Sequence, residues 1–228
     1  MTFSLVARCE RTGQVGVGAM TAMLGIGKLV AHGRAGVGAV ATQAMVNPYL
    51  AYDGLDLLAQ GVSAPEAVER LIAADPGREG RQLGIVDAKG RAASHTGSLP
   101  KDHKGHRVGD GWACQGNRLA GPEVLDAAVA AFRADPDQPL AVRLLAALDA
   151  GEDRGGDREG HRSATVLVLE REQYPLWDLR VDESEAPLTE IHALYEEFAE
   201  HLIPQIRMLP TREDPLGGFD YGHGTPNV

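Results

Sequence analysis

Met1-Thr2-Phe3-Ser4 opens a chain of 228 residues, and a small second residue such as threonine permits removal of the initiator methionine. Thr2 would then carry a hydroxyl and a free α-amino group within one residue. An α-amine has an ordinary pKa of about 8, so modest tuning makes it a base near neutral pH. Hydroxyl and amine together form a nucleophile–base pair that needs no histidine. The plain alternative is a Met-Thr start with no chemistry attached.

The other reactive side chains form weaker patterns. His103 and His106 are three apart with His95 nearby, in a Gly/Lys-rich loop without a dependable third ligand. Surface or substrate-site histidines are expected there, with no metal and no cofactor; a metal-dependent hydrolase is a distant alternative. Gly16-Val-Gly18 and Gly36-Val-Gly38 lack the third glycine and following helix start of a dinucleotide fingerprint, and no Walker sequence occurs. A GxSxG nucleophile elbow is absent. Cys9 and Cys114 make no CxxC pair and sit in strand-like apolar segments, where inert buried thiols in a reducing compartment are expected.

The order of apolar patterns and turn residues says what holds these groups. Residues 3–9 and 15–23 read as a hairpin around Gly13, and residues 36–42 as a third strand of small side chains. Helices follow over residues 49–60 and 63–74, the second with Ser63 and Glu66 spaced as a capping box and stopped by Asp75-Pro76-Gly77. Short strands are expected at 82–87, 91–96 and 111–115, with a turn at Asp87-Ala-Lys-Gly90. Two more helices, ending near Arg133 and beginning at Pro139, precede strands at 163–169 and 176–181. A last helix spans 188–203, with Leu188, Ile191, Leu194, Tyr195, Phe198 and Leu202 on one face. Strands arriving in hairpins between pairs of helices predict an α+β sandwich: two antiparallel sheets stacked between helical layers. One domain over residues 1–203 and an extended tail over 204–228, draped over a partner subunit, complete the expectation.

Composition excludes several classes. Lys and Arg number 22 against 32 Asp and Glu, a formal charge of −10, which argues against nucleic-acid binding and against docking on an anionic membrane. The longest charge-free run, residues 35–52, contains Gly36, Gly38, Gln43, Asn47 and Pro48 and makes a poor membrane span. Without a signal-peptide pattern, a soluble cytoplasmic protein is expected.

Several ordered segments are similar to a bacterial family, the domain-of-unknown-function family numbered 1028. They are Thr2-Phe-Ser-Leu-Val-Ala-Arg8, Ala35-Gly-Val-Gly-Ala-Val-Ala-Thr-Gln43, Asp75-Pro-Gly-Arg-Glu79 with Arg81-Gln82, and Gly84-Ile-Val-Asp87. His95-Thr-Gly97, Gly105-His106, Gln115-Gly-Asn117 with Ala120-Gly-Pro122, and Gly155-Gly-Asp157 before Ser163-Ala164 continue the series. The resemblance implies the four-layer αββα sandwich of N-terminal-nucleophile (Ntn) hydrolases, in which an N-terminal Thr, Ser or Cys attacks an amide carbonyl. It implies Thr2 as nucleophile, with Asn117 as first candidate donor to the oxyanion and Gln43 as second; a turn-capping role for Asn117 stays open.

Arg78, Glu79, Gln82, His95, His106, Gln115 and Asp157 become candidate pocket residues on the same resemblance. Arg78 and Glu79 form either a carboxylate-selecting site or a structural ion pair. His95 and His106 either tune the Thr2 amine or satisfy loop carbonyls. Ser163 either hydrogen-bonds near the nucleophile or caps a strand end. Lys28 matches no family motif and receives no role. The expected activity is hydrolysis of a small amide or ureido C–N bond, in a homo-oligomer. A non-catalytic small-molecule-binding protein on the same fold is the alternative.

Overall fold

A computed structural model describes residues 2–156 and 160–218. The chain begins with the expected hairpin, β1 (Thr2–Arg8) against β2 (Val15–Thr21), with Arg8 opposite Val15 and Thr2 opposite Thr21. Gly13 turns the chain at φ 74°, a conformation that costs other residues steric strain. Strand β8 (Trp112–Asn117) pairs with the free side of β1, and β9 (Ser163–Leu169) with the free side of β2. With β7 (Gly105–Gly109) and β10 (Trp177–Val181) at the edges, the sheet order is β10-β9-β2-β1-β8-β7.

A second sheet runs β3 (Ala31–Arg34), β4 (Gly38–Ala44), β5 (Arg81–Asp87) and β6 (Ala92–Thr96) in that order, and every pairing in both sheets is antiparallel. Helices α2 (Tyr49–Ala59) and α3 (Ala64–Ala74) pack on β4, β5 and β6. Helices α4 (Glu123–Ala134) and α5 (Leu140–Asp153) pack on the six-stranded sheet, beside α6 (Pro187–Glu197).

The apolar residues divide accordingly. Phe3 and Leu5 meet Phe132, Leu144 and Leu148 under α4 and α5. Val40, Leu83 and Ile85 meet Leu55 and Leu71 under α2 and α3. Between the sheets the side chains are small: Val6, Val17, Ala19, Ala39, Ala41 and Ala113. Each large aliphatic or aromatic side chain so buried contributes about 2 kcal/mol. Small ones between the sheets matter differently, because they let the two backbones approach.

Local signals place several ends. Ser63 Oγ accepts from Glu66 N at 3.3 Å, as the capping box predicts, although α3 begins at Ala64. Asp87 Oδ1 accepts from Lys89 N (2.9 Å) and Arg91 N (3.0 Å), closing the turn before β6. Three short elements differ from the expectation: α1 (Ile26–Leu29), β3 and β7. Each has only four or five residues, and glycines break the alternation of Ala31-His-Gly-Arg34 and bound Gly105-His-Arg-Val-Gly109, so no periodicity marks them.

The last helix does not stop at Ile203. A π-helical segment, Phe198–Leu202, carries it into α7 (Ile203–Ile206), with Pro204 in the first turn where its missing N–H is harmless. Of the expected tail, the part described turns back on its own chain: Arg207 Nη1 lies 3.4 Å from Glu170 Oε2, and Tyr174 Oη donates to Pro210 O at 3.2 Å. Among the described residues no helix is long and apolar enough to cross a membrane.

Candidate active site

Alternation along β1 sends Phe3, Leu5 and Ala7 toward the helices and Thr2, Ser4 and Val6 toward the second sheet. Register then aligns Asn117, Thr2, Thr21 and Ser163 across one end of the six-stranded sheet. Thr2 is 7% exposed, and its Oγ1 lies 3.0 Å from Thr21 Oγ1. Thr21 Oγ1 also accepts from Met23 N at 3.3 Å.

Beneath this row, carboxamides from both sheets form one buried network. Ser4 Oγ donates to Gln43 Oε1 (2.6 Å) and accepts from Gln115 Nε2 (2.6 Å). Gln43 Nε2 faces Gln82 Oε1 (3.1 Å), Thr2 O (3.2 Å) and Gln115 O (3.3 Å), more acceptors than its two hydrogens can serve singly. Asn117 Nδ2 donates to Gln82 Oε1 at 2.8 Å. Gln82 Nε2 in turn donates to Gly116 O (2.7 Å), with Thr96 Oγ1 and Gly105 O at 3.1 and 3.2 Å. Gly84 makes room for the network: a Cβ there would meet Gln115 Oε1 at 2.1 Å.

The network is electrically neutral. Its hydroxyls and amides do not titrate near pH 7, and burial makes each hydrogen bond strong and each unpaired group costly. The nearest imidazole in the chain of bonds is His106, whose Nδ1 lies 3.0 Å from Thr96 Oγ1. Burial, with the neighbouring His95 and Arg107 charges, holds the His106 pKa below its ordinary value. Among the described residues, therefore, no side-chain base hydrogen-bonds the Thr2 hydroxyl.

The remaining sequence candidates divide between this site and others. Gln43, Gln82, Gln115 and Asn117 belong to the network, and His106 joins it through Thr96. Asn117 lies opposite Thr2, and among the described residues its side chain makes one hydrogen bond, which leaves it a second N–H. Gln43 has none to spare. Arg78, Glu79 and His95 form a different cluster: His95 pairs across strands with Leu83, on the face that α2 and α3 cover, whereas Thr96 faces the network. There His95 Nε2 contacts Arg78 O (3.0 Å), Arg78 Nε lies 3.9 Å from Glu79 Oε1, and Glu79 Oε2 accepts from Ser98 Oγ (2.8 Å). Hydrogen bonds from the Ser98 side chain and backbone hold the Glu79 carboxyl below its ordinary pKa.

Ser163 shares the Thr2 row, but its hydroxyl donates to Met23 O (2.6 Å) and accepts from Ile26 N (3.2 Å), fixing the loop into α1. Lys28 pairs with Asp182 at 2.9 Å on the surface. Asp157 lies outside the described residues. Thr21, Ser4 and Thr96 escaped the sequence reading. Thr21 had a usable signal, since pairing the hairpin symmetrically about its turn sets it opposite Thr2. Among the described residues no group of three or more His, Cys, Asp or Glu side chains converges on a possible metal position.

A model of the family of unknown function DUF1028 matches residues 2–191. The crystal structure of a DUF1028 protein from Silicibacter pomeroyi is similar with a TM-score of 0.88 and 33% sequence identity, covering 96% of this chain and 99% of that one. Anbu (ancestral beta-subunit) from Yersinia bercovieri gives a TM-score of 0.41 at 14% identity, over 92% of this chain and 98% of that one. No curated protein matches the sequence.

Proposed function

This chain belongs to the family of unknown function DUF1028, and from that premise we propose a cytoplasmic N-terminal-nucleophile amidohydrolase, a four-layer αββα sandwich acting on a small amide or ureido C–N bond. One observation carries the reading: Thr2 sits at the buried end of β1 with Asn117 opposite it and, among the described residues, no side-chain base hydrogen-bonded to its hydroxyl. A hydroxyl in that position needs a base, and the α-amine exposed by loss of Met1 supplies one. A neutral, buried surrounding disfavours the ammonium form and draws the amine pKa down toward neutrality.

Thr2 Oγ1 attacks the substrate carbonyl while the amine takes the hydroxyl proton, directly or through a water. The free N–H of Asn117 Nδ2 donates to the oxyanion. Collapse breaks the C–N bond, and the ammonium returns the proton to the leaving nitrogen. The ester left on Thr2 is then hydrolysed by a water that the same amine deprotonates, releasing the acid.

The test has two parts. Intact mass of the untagged protein is expected to lack one methionine. On an amide substrate found by screening, Thr2→Ser is expected to keep turnover, Thr2→Ala to abolish it, and Asn117→Ala to lower kcat about 100-fold. Full turnover by Thr2→Ala would sink the mechanism. The saturated donors of Gln43 and the near-complete cover over Thr2 favour a second reading, a non-catalytic binding protein. It predicts retained methionine and metabolite binding that ignores Thr2→Ala in calorimetry.

A further inference from the structure

Residue Cys9 follows the other end of β1, some 20 Å along the strand from Thr2. A cleft of about 530 Å³ lies there, lined by Arg8, Arg11, Arg133 and Arg143 together with Cys9, Trp112, Phe132 and Pro136. Its size falls in the range of small-molecule sites. We infer that this cleft binds a small organic anion: an aromatic or apolar body bearing a carboxylate or a phosphate group.

The arginines carry the inference. Elsewhere in this acidic chain arginines hold carboxylates, as in Arg34–Asp56, Arg81–Asp75, Arg91–Asp87, Arg107–Asp126 and Arg180–Asp178. None of the four in the cleft does so among the described residues. Arg143 Cζ lies over the Phe132 ring, 4.1 Å from its centroid, and its Nε donates to Phe132 O at 3.0 Å. Those contacts fix the guanidinium, which also hydrogen-bonds the Cys9 side chain, and leave terminal N–H groups for an anion.

Arg11 reaches across from the β1–β2 turn to donate one Nη to Asp137 O at 2.9 Å, and Arg133 makes no hydrogen bond or ion pair among the described residues. Glu10, Asp110 and Asp137 also line the cleft, yet none lies within ion-pair distance of these guanidinium groups. A planar fork matches a carboxylate or phosphate through two parallel hydrogen bonds, while Trp112 and Pro136 offer apolar wall. The Cys9 thiol reports the same field. Burial raises its pKa, but hydrogen bonds from Thr12 and Arg11 and the Arg143 charge outweigh that and lower it.

Calorimetric titration of the full chain at low salt, in a buffer free of phosphate and carboxylate, tests this with phenyl phosphate, benzoate and phenol. One or both anions are expected to saturate the protein and to shift Trp112 fluorescence, with phenol silent; the tighter anion identifies the charged group. Arg11→Gln and Arg133→Gln, both at exposed positions, are expected to weaken binding about tenfold each, while Arg171→Gln near the C-terminal segment leaves it unchanged. No saturation by either anion at about 10 mM, equal affinity for phenol, or unchanged affinity in the Arg11→Gln/Arg133→Gln double variant would each overturn the assignment. The proposal stands or falls independently of Thr2.

Discussion

At the scale of single residues, Gln82 is the hub of the site. It is fully buried, its Oε1 accepts from Gln43 and Asn117, and its Nε2 serves the Gly116 carbonyl. Gln82→Leu keeps the volume and strands all three partners in a dry interface. Unpaired buried groups cost about 1–3 kcal/mol each, partly offset by the added apolar burial. A net loss of about 3 kcal/mol in urea unfolding is therefore expected; a loss under about 1 kcal/mol would mean the network re-pairs or admits water.

Among elements, the stop of α3 carries a pH signature. Asp75 Oδ1 accepts from Gly77 N (2.9 Å) and Oδ2 from Arg81 Nε (2.8 Å), while Arg81 Nη1 donates to Met45 O (2.5 Å). One carboxylate thus ties the end of α3 to the start of β5 and, through Arg81, to the end of β4. The hydrogen bond from Arg81, with that from Gly77, holds the Asp75 carboxyl below its ordinary value of 3.8 against the opposing effect of burial. The unfolded chain therefore takes up this proton at higher pH than the folded one. Its stabilisation is full above pH 3.8 and is lost as pH falls through the depressed folded pKa.

His32 and His106 act in a higher window. Burial lowers both folded pKa values, so their contribution is full above the ordinary 6.5 and declines below it. Urea midpoints measured against pH are expected to show both limbs, and Asp75→Asn to remove much of the acid one. An unchanged acid limb in Asp75→Asn would mean that other carboxylates set it.

The whole molecule is predicted to self-associate. Met23, Leu24, Met45 and Val46, in loops at the Thr2 end of the sheets, and Tyr49 at the start of α2 remain exposed in the single chain. Light scattering on the purified protein is expected to give a multiple of 24.2 kDa, and a mass of one chain would withdraw the proposal. In a chain of net charge −10, arginines without a carboxylate partner among the described residues, such as those around Cys9, stand out.

Local chemistry was enough for much of this fold. Turn glycines, the Ser63 cap and runs of alternating side chains located most strands and helices, because those signals act over a few residues. The same alternation could have set Ser4 on the face of Thr2. Short β3 and β7 escaped, since four or five residues with glycine carry no readable period. What tertiary structure alone decided is which polar residues meet. Gln43, Gln82 and Asn117 come from three strands, and the side-chain bonds joining them with Ser4 and Gln115 span 35 to 111 residues. Their meeting depends on how closely two sheets of small side chains stack. One residue of alternation separates His95 from Thr96, and it sends the first to the helix-covered face and the second toward the buried carboxamide network. The order of residues determined what chemistry was available; the stacking of the sheets determined where it is assembled.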